Sequence, residues 1–175
     1  MLSALKGKNE ARITKAPFLE ADLIWDGGLR SPNGYSDKNP TEMDEHGRTV
    51  TIIGGNGLKP IIYWELSWKF VLEIHNNSSY PAINVKIESI GQTHFTKLDK
   101  LPKINNIQPF TSIALNAEDK QFIEDTHVEA DRILSFSIPE KLEGLTLKIS
   151  YLDEDRNPHS TTVKIENNSV VNIKN

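Results

Sequence analysis

The sequence predicts an all-β fold, an immunoglobulin-like antiparallel β-sandwich of about eight or nine strands with at most one short helix. Three observations carry this reading. Several segments alternate apolar and polar residues with a period of two, clusters of turn-forming residues separate them, and hardly any stretch keeps a helical period. A sheet with one apolar face needs cover, and two packed sheets supply it for each other.

The first strand is expected where Leu19, Ala21, Leu23 and Trp25 alternate around Glu20 and Asp22. From Asp26 to Gly47 the order breaks: Gly27, Gly28, Pro32, Gly34 and Pro40 stand among very few apolar residues. That composition reads as a long loop excursion, residues 26–47, and long loops inside compact domains are often the functional ones. A weaker strand is expected over Thr49 to Ile53. Gly54-Gly55-Asn56-Gly57 ahead of Pro60 then reads as a connection that needs positive φ.

The strongest signal follows. Trp64, Leu66, Trp68, Phe70, Leu72 and Ile74 alternate with Glu65, Ser67, Lys69, Val71 and Glu73, which is a long strand with one buried face. Asn76 to Pro81 is rich in turn formers, and Ile83, Val85 and Ile87 resume the alternation, so a turn between two antiparallel strands is expected. Further strands are expected at His94 to Leu98, Thr111 to Leu115 and Ile133 to Ile138, the last closed by Pro139. Ala117 to Arg132 is acidic with a broken helical period and reads as a short helix or a connecting loop. Leu145 to Tyr151 and Thr161 to Ile165 form a C-terminal hairpin around the polar loop Asp153 to Pro158.

The chain has 175 residues, 37% hydrophobic and 25% charged, which suits one folded domain over residues 17–175. With 24 acids against 20 lysines and arginines, the net charge of −4 offers no general attraction for phosphate backbones, and no basic cluster replaces it. Nucleic acid is therefore not an expected partner. The absence of cysteine excludes disulfides, thiolate zinc sites and a cysteine nucleophile. No apolar run approaches the roughly 20 residues of a membrane span, and Met1 to Ala16 lacks a signal-peptide core.

Motifs for chemistry are sparse. His46, His75, His94, His127 and His159 match no local metal motif. Asp153, Asp155 and Asn157 alternate as calcium ligands can, but the glycine and closing glutamate of a calcium loop are missing, so a solvated hairpin tip is expected. The glycines at 54, 55 and 57 lack the rest of a phosphate-binding fingerprint, and no serine lies in Gly-x-Ser-x-Gly. Trp64, Trp68 and Phe70 read as core residues ahead of a sugar-binding platform. No catalytic residue, cofactor or metal is expected.

The strand Trp64 to Ile74, the turn Asn76-Asn77-Ser78 and the run Pro81-Ala82-Ile83-Asn84-Val85-Lys86-Ile87 together resemble CARDB-like and NEW3-like bacterial immunoglobulin-fold modules, over Trp64 to Leu115. The resemblance implies adhesion, connection or ligand contact and carries over no catalytic residue. The lead-in, residues 1–16, has Lys6, Lys8, Arg12 and Lys15 against Glu10 alone before Ala16-Pro17-Phe18-Leu19. It is similar to small bacterial membrane-associated proteins in which a membrane helix and a basic segment precede such a sandwich. That similarity implies a membrane tether before Met1, and the basic residues favour a cytoplasmic placement at the inner membrane face over an envelope one.

The expected function is a non-catalytic binding or interaction module whose partner is a protein or a small ligand. A small-molecule sensor and a carbohydrate-binding sandwich remain as alternatives. The candidate contact residues are Arg30, Tyr35, Asp37, Glu45, Arg48 and Arg156, with the arginines suited to an anionic group.

Overall fold

The computed structural model describes residues 16–103 and 105–175. The basic lead-in with Lys6, Lys8, Arg12 and Lys15 lies outside the described residues, up to residue 15. Among the described residues the chain is an all-β sandwich of three sheets with one α-helix, as the alternation predicts. The strands are β1 (Leu19–Tyr35), β2 (Thr41–Met43), β3 (Thr49–Thr51), β4 (Ile62–Asn76), β5 (Ile83–Ile90), β6 (Lys97–Leu98), β7 (Ser112–Asp125), β8 (Thr146–Leu152), β9 (Pro158–Glu166) and β10 (Ser169–Lys174). The helix, α1, spans His127–Leu134. Sheet orders are β1-β4-β7-β6, β10-β9-β8-β5 and the pair β2-β3.

The residues group into two compact units, which divide β1, β4 and β7 between them. Unit 1 holds residues up to Ile24, Phe70–Ala117 and Glu140–Asn175; unit 2 holds Trp25–Lys69 and Glu118–Pro139.

Unit 1 closes over apolar positions of both large sheets. Leu19, Ala21, Leu72, Ile74 and Leu115 are buried from one, and Leu147, Ile149, Tyr151, Val163 and Ile165 from the other. The period-two spacing of these residues puts them all on inward faces. Polar groups in this core are paired. Thr161 Oγ1 donates to Leu19 O at 2.7 Å, and the Asn172 side chain accepts from Ala21 N at 2.8 Å and donates to Ala21 O at 2.9 Å. Asn172 thereby occupies the outer edge of β1 at Ala21 much as a neighbouring strand would.

The turn after β4 does not join antiparallel partners. β4 and β5 belong to different sheets, and Asn76 to Pro81 carries the chain from one to the other. Asn76 is the reason: its buried Nδ2 donates to Tyr80 O at 2.7 Å and to Ile107 O at 3.0 Å, which turns the chain away from a hairpin. The C-terminal hairpin is present, with Tyr151 opposite His159 and Ile149 opposite Thr161. A further strand, β10, follows it. Asn167 and Asn168 adopt φ of 53° and 57°, the double left-handed geometry of a tight primed turn, which asparagine tolerates.

Unit 2 departs most from expectation. Residues 26–35 are not a loop; they continue β1 alongside β4, and β2 follows at Thr41. The strongly alternating β4 supplies a pairing edge, so a polar segment becomes strand through its neighbour and not through its own burial. Pro32 is tolerated because β1 is the outermost strand of its sheet, and Gly27 and Gly34 take positive φ of 133° and 100° within it. Gly28 admits close packing: a Cβ there would stand 3.1 Å from Leu134 Cδ2. The true loops are shorter, at 36–40 and 44–48. The positive φ expected in the glycine run is found at Gly54 and Gly57, both 73°.

The expected strand at Ile133 to Ile138 is absent. Strand β7 instead runs on to Asp125, and α1 occupies 127–134. Thr126 caps the helix, its side chain accepting from Glu129 N, and Thr126-x-x-Glu129 is the capping-box spacing that overrides the β-branched residues downstream. Trp64, Leu66, Trp68, Ala130 and Ile138 form the apolar core of this unit, joined by the fully buried acid Asp119. Among the described residues no helix is long and apolar enough to cross a membrane.

Candidate functional site

The end of the unit 2 sheet carries a groove with exposed aromatic walls. Asn33 of β1, Tyr63 and Trp64 of β4, and Phe122, Ile123 and Glu124 of β7 line a groove of about 310 Å³. Phe122 is 68% exposed and Tyr63 is also exposed, so apolar ring surface faces solvent here. Trp64 is held from within, its Nε1 donating to Asp125 O at 3.0 Å.

The polar end of the groove is organised around Glu124. Its carboxylate accepts from the Ser36 hydroxyl and pairs with Lys38 Nζ at 2.6 Å. Hydrogen bonds from Lys38 and Ser36 hold the Glu124 carboxyl below its usual range, and the same contact raises the Lys38 ammonium. Asn39 anchors the loop beneath: Nδ2 donates to Ser36 O at 2.7 Å and Ile61 O at 2.6 Å, while Oδ1 accepts from Ile61 N at 2.8 Å. Farther along β4 the exposed-side ladder is salt-bridged, Lys120 Nζ lying 2.7 Å from Glu65 Oε1.

The candidate residues taken from the sequence do not form one constellation. Arg30 is committed to structure: its Nε is 2.8 Å from Asp131 Oδ1 and its guanidinium lies 4.9 Å from the centre of the Trp64 ring. Tyr35 ends β1 with its side chain exposed, and Asp37 is exposed in the following loop. Glu45 and Arg48 sit in the β2–β3 turn, where Arg48 Nε and N both bond the Asp44 carboxylate at 2.8 Å. The Arg48 amide hydrogen bond is the main reason the Asp44 carboxyl is lowered. Arg156 belongs to unit 1, in the β8–β9 loop with φ of 65°.

Composition separates the two units. Of the sixteen large apolar residues exposed among the described residues, eleven lie in unit 2, including Trp25, Leu29, Tyr35, Met43, Leu58 and Phe122. The same unit carries twelve acidic residues against seven basic ones. Sequence reasoning did not single out Tyr63, Phe122 or Glu124. Phe122 stands in the acidic stretch read as helix or loop, and only the strand assignment reveals that it shares a face with Glu118, Lys120 and Glu124.

In unit 1 the Asp153 to Asn157 loop is a closed turn. Asp153 Oδ1 accepts from Asn157 N at 2.8 Å, and Oδ2 stands 3.0 Å from His159 Nε2. Burial works against the charge on Asp153, yet the bonds from His159 and Asn157 outweigh it and leave the carboxyl below its usual value. A group whose folded pKa is depressed adds stability above its unfolded pKa and loses it as pH falls through the folded value. Asp153→Asn is therefore expected to destabilise at neutral pH, with the gap from the parent closing below pH ~4; urea unfolding at pH 7 and pH 3 checks this. Among the described residues no group of three or more histidine, aspartate or glutamate side chains is arranged to hold a metal.

Comparison with protein-family models, with curated proteins and with solved structures finds no match to this chain.

Proposed function

We propose that this protein is a non-catalytic interaction module that recognises a protein partner through unit 2. The observation that carries the reading is the concentration of exposed large apolar side chains there, eleven of sixteen, on a unit with an excess of five acidic residues. Exposed apolar clusters rimmed by charge mark contact sites on proteins. Charge complementarity sets the partner's chemistry: an acidic, apolar surface fits a segment that combines lysine or arginine with aromatic or branched side chains. The groove of Asn33, Tyr63, Phe122 and Glu124 receives the anchor of that segment, as a pocket beside a polar rim does in other interfaces.

The resemblance of Trp64 to Leu115 to CARDB-like and NEW3-like modules supports a connecting role, and a membrane-proximal position through the basic lead-in belongs to the same reading. Sugar recognition through a Trp64 and Trp68 platform has no support, because both rings are buried.

Peptide display against the full chain tests the proposal, because the selected sequences report the chemistry that the surface prefers. They are expected to be basic and to carry an apolar anchor. Phe122→Ser, at an exposed position, is expected to weaken them about tenfold or more without changing thermal stability. Selection of acidic peptides, or equal binding by the variant, would overturn the assignment.

A further inference from the structure

We infer that the outer face of the β5–β8–β9 sheet in unit 1 holds a binding site for a phosphate monoester or free phosphate dianion. A groove of about 390 Å³ lies there, lined by residues that include Asn84, Lys86, Lys148, Ser150, His159 and Ser160. No acidic residue lines it, although the chain has more acids than bases. The side chains that line the groove thus carry positive charge from Lys86 and Lys148 and none of the protein's acids, and an anion is the ligand that such a lining attracts.

The donors are set in rows by strand register. Lys86 of β5 stands opposite Ser150 of β8, which stands opposite Ser160 of β9. One row along, Lys148 stands opposite Thr162 on β9 and Glu88 on β5. Glu88 is exposed and outside the groove lining, and among the described residues neither Lys86 nor Lys148 makes an ion pair. Lys86 and Lys148 project from adjacent strands on one face that Glu88 also shares, and a dianion seated on the groove side of the two ammonium groups attracts both. Lysine binds phosphate as a point charge, and the paired hydroxyls of Ser150 and Ser160 add neutral donors for the remaining oxygens.

The surroundings are fixed in advance of a ligand. The Asn175 side chain donates to Thr162 Oγ1 at 2.7 Å and its backbone N to Ser160 O at 3.0 Å, which ties down the far side of the row. His159 stacks on Tyr151 with ring centres 5.9 Å apart while its Nε2 meets Asp153. Asn84, on the groove lining, takes a left-handed φ of 54°, which asparagine tolerates, at the irregularity of β5 between Ile83 and Lys86. This inference is independent of the unit 2 reading, and the two stand or fall by different variants.

The test is an amide-resolved NMR titration of the full chain with inorganic phosphate, against sodium chloride at matched ionic strength. Saturable shifts are expected at residues 86, 148, 150 and 160 with phosphate and not with chloride. Lys86→Gln and Lys148→Gln are each expected to weaken binding about tenfold, and both positions are exposed or half-exposed, so the fold is retained. Glycerol phosphate and vesicles containing phosphatidic acid separate the sources: tighter binding of the soluble ester assigns a free metabolite, and vesicle retention lost in the double variant assigns a lipid headgroup. Absence of saturable shifts, or shifts unchanged in the double variant, would overturn the site.

Discussion

Trp68→Ala is expected to lower the unfolding free energy by about 3–5 kcal/mol. The indole is 0% exposed in the unit 2 core, and its Nε1 donates to Phe136 O at 3.2 Å, so truncation opens a large cavity and also orphans a carbonyl. Trp68→Phe separates the two losses. It retains most of the volume and removes the hydrogen bond, with an expected cost nearer to about 1 kcal/mol. Urea unfolding monitored by circular dichroism measures both; equal costs for the two variants would contradict the cavity account.

Asn39→Ala is expected to cost about 2–4 kcal/mol, because one buried amide satisfies three backbone groups of two separate segments. Asn39 is 5% exposed, and its bonds to Ser36 O, Ile61 O and Ile61 N are all 2.6–2.8 Å. Alanine leaves the Ile61 N–H without its partner, while Ser36 O and Ile61 O keep only their backbone donors, Asn39 N and Ser36 N, and it loosens the loop that carries Ser36 and Lys38 to Glu124. Asn39→Asp keeps the acceptor for Ile61 N–H but sets a buried carboxylate oxygen against the carbonyls of Ser36 and Ile61, so a cost at least as large as that of alanine is expected at pH 7. Faster amide exchange at Ile61 in Asn39→Ala would locate the loss; unchanged exchange there would place it elsewhere.

How much of this is legible in the sequence differs between the units. The alternation from Trp64 to Ile74 predicts β4 and its buried face, and the Leu145 to Ile165 segment predicts the C-terminal hairpin. Both depend on burial of every second residue, which a sequence records directly. Residues 26–35 carry no such record. They form a strand because β4 lies beside them, and proline and glycine, normally breakers, are tolerated on an outermost strand. The Ile133 to Ile138 segment misleads for a related reason, since branched residues favour strands until the Thr126 cap starts a helix.

The candidate site is less visible still. Arg30, one of the contact candidates in the sequence, is spent on Asp131 and Trp64. Phe122 and Glu124 acquire meaning only when β7 extends to Asp125 and sets them on the face that carries Tyr63. The two lysines of the unit 1 groove are 62 residues apart, and only the register of β5 on β8 makes them neighbours.

Hydrogen–deuterium exchange of the full chain with a display-selected peptide tests the central claim most directly, that unit 2 is the surface a partner meets. Protection is expected at residues 25–35, 61–65 and 120–125, and should be lost in Phe122→Ser. Protection confined to unit 1, with unit 2 amides exchanging as in the free protein, would contradict the account.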